Sequence, residues 1–226
     1  MAARKAPRTA SGTAAAPGIP AIVARLQAAL RGRGIDLAYF ADDAAALEYL
    51  LSQVPAGATV MNGGSATLEQ IGLLSAFGRG PYQWLRPAIR EIGDPGERTR
   101  ARRRATTADY FFGGINAITE SGEIVNADGS GTRVAAYAYS AGKVFLVTGT
   151  NKIVPDLAAA FERLRNTAAV GECRRLDAAT PCALTGRCDN DACRGPQRQC
   201  GKVLIIENEK IAGRLCVVMI GAALGY

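Results

Sequence analysis

The feature that most constrains the fold is a recurring pattern in which a short apolar run leads into glycine and polar residues and then into a helical period. Apolar runs stand at Ile35 to Phe40, Thr59 to Met61, Tyr110 to Phe112, Ile124 to Val125, Val144 to Val147, Val203 to Ile206 and Leu215 to Ile220. Between them, Ile22, Val23, Leu26 and Leu30 keep the spacing of an amphipathic helix that ends at Gly32 and Gly34. Leu47, Leu50, Leu51 and Val54 mark a second helix, begun by Asp42 or Asp43 as a cap and stopped by Pro55 and Gly57. Pro155 to Arg165 reads as a third, with proline in its first turn and Leu157, Ala160, Phe161 and Leu164 in period. This alternation predicts an α/β protein with a mostly parallel central sheet and flanking helices.

With 226 residues, 48% of them hydrophobic, the chain can bury one sizeable core and is marginal for two. One domain over residues 19–226 is therefore expected. Residues 1–18, rich in Ala, Pro, Gly, Ser and Thr, read as a disordered basic leader with too little apolar surface to repay ordering. An organellar transit peptide is the other reading of that stretch. Nothing approaches the roughly 18 unbroken apolar residues of a membrane helix, and no apolar secretory segment opens the chain. A cytoplasmic protein without a membrane span is expected.

The formal charge of +7 resides at one end. Arg4, Lys5, Arg8, Arg25, Arg31 and Arg33 precede the first acidic residue, Asp36, and the remaining 21 basic residues face 20 acidic ones. That distribution argues against nucleic acid as a partner, as does the scarcity of aromatic residues around the lone Trp84. A further run, Arg98, Arg100, Arg102, Arg103 and Arg104, would spread round most of a helix. It reads as a solvated face or, more sharply, as a patch for an anionic substrate or acidic partner.

Three loops follow apolar runs and offer amides, hydroxyls and charge. In Asn62 to Gly72 a strand enters Gly63-Gly64-Ser65 and then a helix whose Thr67 and Gln70 have capping-box spacing. Free amides there suit a phosphate or carboxylate, although an ordinary tight turn explains the same residues. Gly113 to Arg133 concentrates Asn116, Thr119, Glu120, Asn126, Asp128 and Arg133. A hairpin turning at Asp128-Gly129 would account for part of that set. Thr148 to Lys152 adds Asn151 and Lys152. Adjacent parallel strands would gather these loops at one sheet edge. Gly63, Gly64, Ser65, Thr67, Asn116, Thr119, Glu120, Arg133, Asn151 and Lys152 are therefore the candidate ligand residues, with Arg133 and Lys152 as anion clamps.

The chain has no histidine, which removes Ser-His-Asp triads, Cys-His pairs and any imidazole base. Proton transfer would fall to other groups, with Glu120, Asp128 and Lys152 the catalytic candidates and Glu69 more readily a helix-surface residue. Four of six cysteines, Cys182, Cys188, Cys193 and Cys200, lie within nineteen residues of a loop with little apolar content. Four thiolates suit tetrahedral zinc or an iron–sulfur cluster, and two disulfides are the alternative. Arg187, Arg194 and Arg198 would offset the charge of such a site. Cys216 reads as a packed core residue, and Cys173 has no assignment.

The stretch from Asn116 to Ala136 together with Val147 to Val154 resembles the signature of the LUD domain of lactate-utilisation proteins. Asn62 to Gly72 and the closing Gly221 to Tyr226 are similar too, so the likeness runs from about residue 20 to the end. Cys182 to Cys188 and Cys193 to Cys200 resemble the cysteine loop of one LUD subgroup, with Cys193 shifted along the chain. The resemblance implies a fold related to the sugar-isomerase and CoA-transferase group, whose parallel sheet binds small carboxylated or phosphorylated molecules. It also implies a role in oxidation of lactate to pyruvate beside other lactate-utilisation subunits, and it favours a 4Fe-4S cluster over zinc. A non-catalytic assembly or anion-sensing protein with a structural metal is the alternative, and either could form a homo-oligomer.

Overall fold

The computed structural model describes residues 19–226; the expected leader, residues 1–18, lies outside the described residues. The apolar runs become the strands β1 (Asp36–Phe40), β2 (Thr59–Asn62), β4 (Tyr110–Gly114), β6 (Ile124–Asp128), β7 (Lys143–Gly149), β9 (Lys202–Ile206) and β10 (Leu215–Ile220). Three short strands join them, β3 (Gln83–Trp84), β5 (Ala117–Thr119) and β8 (Ile153–Val154). The helices are α1 (Ala21–Gly32), α2 (Asp43–Ser52), α3 (Ala66–Gln70), α4 (Leu73–Arg79), α5 (Leu85–Glu91), α6 (Pro95–Arg104), α7 (Thr132–Ala135), α8 (Leu157–Arg163), α9 (Ala169–Arg175) and α10 (Pro181–Thr185). Among the described residues no helix is long and apolar enough to cross a membrane.

The expected α/β architecture holds. Six parallel strands form the central sheet in the order β1-β10-β7-β4-β2-β3. Strand β10 is buried throughout because both its faces are covered, as parallel strands require. Val217 and Met219 meet Val23, Leu26 and Leu30 of α1 on one face. Cys216, Val218 and Ile220 meet Ala46 and Leu50 of α2 and Phe77 of α4 on the other, which leaves Cys216 a core residue.

A second sheet departs from the single one expected, with the order β8-β5-β6-β9 and both parallel and antiparallel pairs. It packs Ala117, Val125 and Ala127 against Ala160 of α8 and Leu164. Its hairpin does not turn at Asp128-Gly129. The turn is Glu120 to Glu123, where Gly122 takes φ +98°. Asp128 instead ends β6 and accepts the amides of Gly131 (2.7 Å) and Arg133 (3.2 Å) at the start of α7. An Asp-Gly pair serves either purpose, because the carboxylate can close a turn or cap a helix.

Two helix starts also differ from expectation. Ser65, not Thr67, caps α3 by accepting the amide of Leu68, and Gln70 accepts the amide of Gly225 (2.7 Å). Asp156 caps α8 through the amide of Ala159 (2.8 Å), so Pro155 stands before the helix, not in its first turn. Through a π-helical turn, Leu164–Ala168, α8 continues into α9.

Candidate functional site

Strands β2, β4, β7 and β10 run parallel, so their carboxyl ends deliver Gly63-Gly64-Ser65, Ile115-Asn116, Thr150 to Lys152 and Gly221 to Tyr226 to one edge. The second sheet and α9 stand against that edge and enclose a recess of about 50 Å³. Gly64, Ser65, Thr67, Asn116, Arg133 and Lys152 line it, with Ala127, Leu164, Glu172, Gln199, Cys200, Gly225 and Tyr226. Six of the ten candidate ligand residues thus meet in one place.

Lys152 is only 4% exposed and its ammonium donates to the hydroxyl of Thr67 (3.2 Å). It pairs with no carboxylate among the described residues. Burial, reinforced by the charges of Arg163 and Arg133, pushes its pKa down to about 7. Arg163 is spent on the main chain, donating to the carbonyl of Asn116 (2.6 Å) and the main-chain oxygen of Tyr226 (2.9 Å), and burial lowers its pKa too. Two side-chain carboxylates nearby are already engaged. Asp128 holds Arg133 at 3.2 Å, and Glu172 holds Arg175 at 2.8 Å. Burial alone would raise the Asp128 pKa, but Arg133 and the Gly131 amide keep it below the usual carboxylate range.

Arg133 is also committed, donating to Ala127 O (2.5 Å) and Gly64 O (3.3 Å) as well as to Asp128. Its side chain lies across Gly63, where any Cβ would collide with it. Glycine is there to admit the arginine. Asn151 pins the C-terminal tail through Leu224 (3.2 Å to its amide), and Gly225 packs so tightly on Thr67 that a side chain would not fit. Thr119 and Glu120 lie on the hairpin instead, Thr119 bonded to Glu123 and Glu120 to Arg25 (3.4 Å) at the surface. The recess does not include them.

The LUD domain profile matches residues 23–220. The chain belongs to the LUD-domain family. Among solved structures, this LUD domain is similar to a DUF162 family protein from Deinococcus radiodurans, with 12% identity over 88% of this chain and 96% of that one and a TM-score of 0.48. No curated protein matches the sequence.

In this LUD domain the cysteine loop borders the recess, because Cys200 and Gln199 form part of its wall. None of the six cysteines is paired in a disulfide. Cys182 packs with Cys173 against Val170 and Ala178, and Cys200 packs against Ala127 and Leu164. Burial raises the Cys193 pKa, with Arg198 opposing and Cys200, Cys182 and Cys188 adding to the rise. The Cys173 pKa is pushed up to about 11 by burial against the opposing Thr180 hydroxyl, with Cys182 and Cys200 adding. Among the described residues no group of three or more His, Cys, Asp or Glu side chains is arranged to hold a metal ion.

Sequence reasoning missed Arg163, Glu172 and Tyr226. Arg163 and Glu172 sit on helices with no motif of their own, and only the fold turns them toward the sheet edge. The signal for Tyr226 was the glycine-rich tail that carries it.

Proposed function

We propose that this protein serves lactate utilisation in the cytoplasm as the subunit that binds a small carboxylate or phosphorylated ligand at Lys152, alongside other subunits of that system. One observation carries the reading: a buried ammonium with no carboxylate partner at the carboxyl edge of a parallel sheet. A buried cation without compensation costs several kcal/mol, and a ligand anion would remove that cost. The recess admits a carboxylate or phosphate head and little more. Lys152 and Thr67 would hold that head, and Asn116 would orient what projects from it.

The cysteine loop is suited to a thiophilic group. Cys182, Cys188, Cys193 and Cys200 would hold a 4Fe-4S cluster, with zinc as the alternative. The donor set fits in chemistry, though the side chains are not arranged round a metal here: four unpaired thiols lie on one loop with the half-buried Arg198, whose shielded Nε has no partner and could donate to a thiolate. When bound, a cluster supplies one-electron transfer next to the recess. Iron–sulfur predicts visible absorbance at ~400 nm in anaerobically purified protein, and zinc predicts none. Neither metal on elemental analysis would sink this part of the reading.

Anion sensing without turnover is the second reading, favoured because Asp128 is consumed by Arg133 and Glu120 stands at the hairpin. Of the three catalytic candidates only Lys152 then remains. Calorimetric titration with lactate, pyruvate and inorganic phosphate tests the ligand site. Lys152→Met should weaken the ligand that binds roughly tenfold or more while the protein stays folded. Undiminished affinity in that variant would overturn the assignment.

A further inference from the structure

A second cleft, of about 310 Å³, adjoins the recess across Gly64 and Arg133. Its walls carry Arg86 and Arg90 from α5, Arg98 and Arg102 from α6, and Arg133. On each helix the paired arginines are four residues apart, so each pair shares one face, and those faces look into the same hollow. The arginine run therefore divides: Arg98 and Arg102 enter the cleft, whereas Arg100, Arg103 and Arg104 do not line it. Like charges at this spacing weaken a helix, so helix stability does not account for their convergence.

We infer that this cleft binds a phosphate-bearing small molecule, a phosphoester or diphosphate, at a site separate from the Lys152 recess. Asp128 is the one carboxylate among the lining residues, and Arg133 occupies it. None of Arg86, Arg90, Arg98 and Arg102 pairs with a carboxylate among the described residues. Two of the guanidinium groups are held in advance. Arg86 donates to the carbonyl of Asn62 (2.9 Å), and the buried Asn62 is itself fixed by the Trp84 indole (2.8 Å) and its own bond to Gly63 O (2.9 Å). Arg102 donates to the hydroxyls of Ser130 (2.9 Å) and Thr132 (3.2 Å) on the opposite wall. Burial lowers the Arg86 pKa to about 10, with Arg90, Arg175 and Arg102 adding to the fall and Glu69 opposing it. Planar guanidinium groups facing one another across a gap suit a tetrahedral dianion, which accepts paired donors from each. A half-open hollow of this size has room for a phosphoester or diphosphate. The inference stands apart from the reading of Lys152 and does not depend on it.

The test is calorimetric titration of the full chain with inorganic pyrophosphate, inorganic phosphate and a single-stranded oligonucleotide. Pyrophosphate should bind, raise the thermal midpoint and shield Arg86 from phenylglyoxal, read by peptide mass spectrometry. The double variant Arg98→Gln with Arg102→Gln should weaken pyrophosphate roughly tenfold or more, while Arg100→Gln on the same helix leaves its affinity unchanged. Equal weakening by Arg100→Gln would reveal a diffuse surface effect and overturn the proposal. So would absence of pyrophosphate binding, or an oligonucleotide that binds more tightly and displaces it.

Discussion

At the floor of the recess, Lys152 has its ammonium turned to a threonine hydroxyl and no carboxylate to balance it. Its pKa of about 7 in the fold lies below its ordinary 10.5, so between those values the unfolded chain holds more protons than the folded one. Stability conferred at this position therefore rises with pH across that window, and below pH ~7 the whole cost of the buried charge is felt. Lys152→Met should raise unfolding stability by a few kcal/mol, to order of magnitude, at pH 7. The gain should shrink as pH climbs toward 10.5. Denaturant titrations at several pH values would check this, and a gap that does not change with pH would mean that Lys152 is not desolvated.

Arg33, just past α1, ties three elements at once. It donates to Ser121 O (2.8 Å), Glu207 O (2.6 Å) and the carboxylate of Glu123 (2.5 Å). Burial would raise the Glu123 pKa, yet the Ser121 and Thr119 hydroxyls, its own amide and Arg33 bring it down to about 2. That stabilisation is complete above its ordinary 4.5 and is lost as pH falls toward 2. Glu123→Gln should cost about 1–2 kcal/mol at neutral pH and flatten the acid limb of the stability curve. A more deeply buried pair lies at Arg214, which meets Glu209 (2.6 Å), both under a tenth exposed, and donates to Tyr137 O (2.6 Å) in the π-helical turn Ala136–Ser140. Glu209→Gln leaves that cation buried without its partner and should destabilise by about 3 kcal/mol in urea unfolding. At this scale the sequence was legible wherever an element was long and apolar, as in α1, β7 and β10. The strands β3 and β8 are two residues each, too short for any periodicity to show, and form because longer neighbours present free edges. Asp128 was misread because a carboxylate beside glycine signals a turn and a cap alike.

The recess belongs to no single element. It exists because the central sheet, the second sheet, α9 and the C-terminal tail meet around Lys152. The glycine-rich ends of the strands announced the sheet edge, so Gly64, Ser65, Thr67, Asn116, Arg133 and Lys152 could be nominated from sequence. What sequence could not supply was the depth of each side chain. Thr119 and Glu120 share the same motif, yet they leave with the hairpin, and the charge balance that leaves Lys152 alone is decided by which carboxylates Arg133 and Arg175 take. The arginine cleft was hidden for the same reason, since half of it comes from α5, outside the run that drew notice. An anion seated on Lys152 must restore its proton, so binding and protonation are linked. Calorimetric titration at pH 8 in buffers of different ionisation enthalpy, with whichever of lactate, pyruvate or phosphate binds, measures that linkage directly. The account predicts uptake approaching one proton per anion bound, abolished in Lys152→Met; binding with no proton uptake, or uptake that persists in the variant, would contradict it.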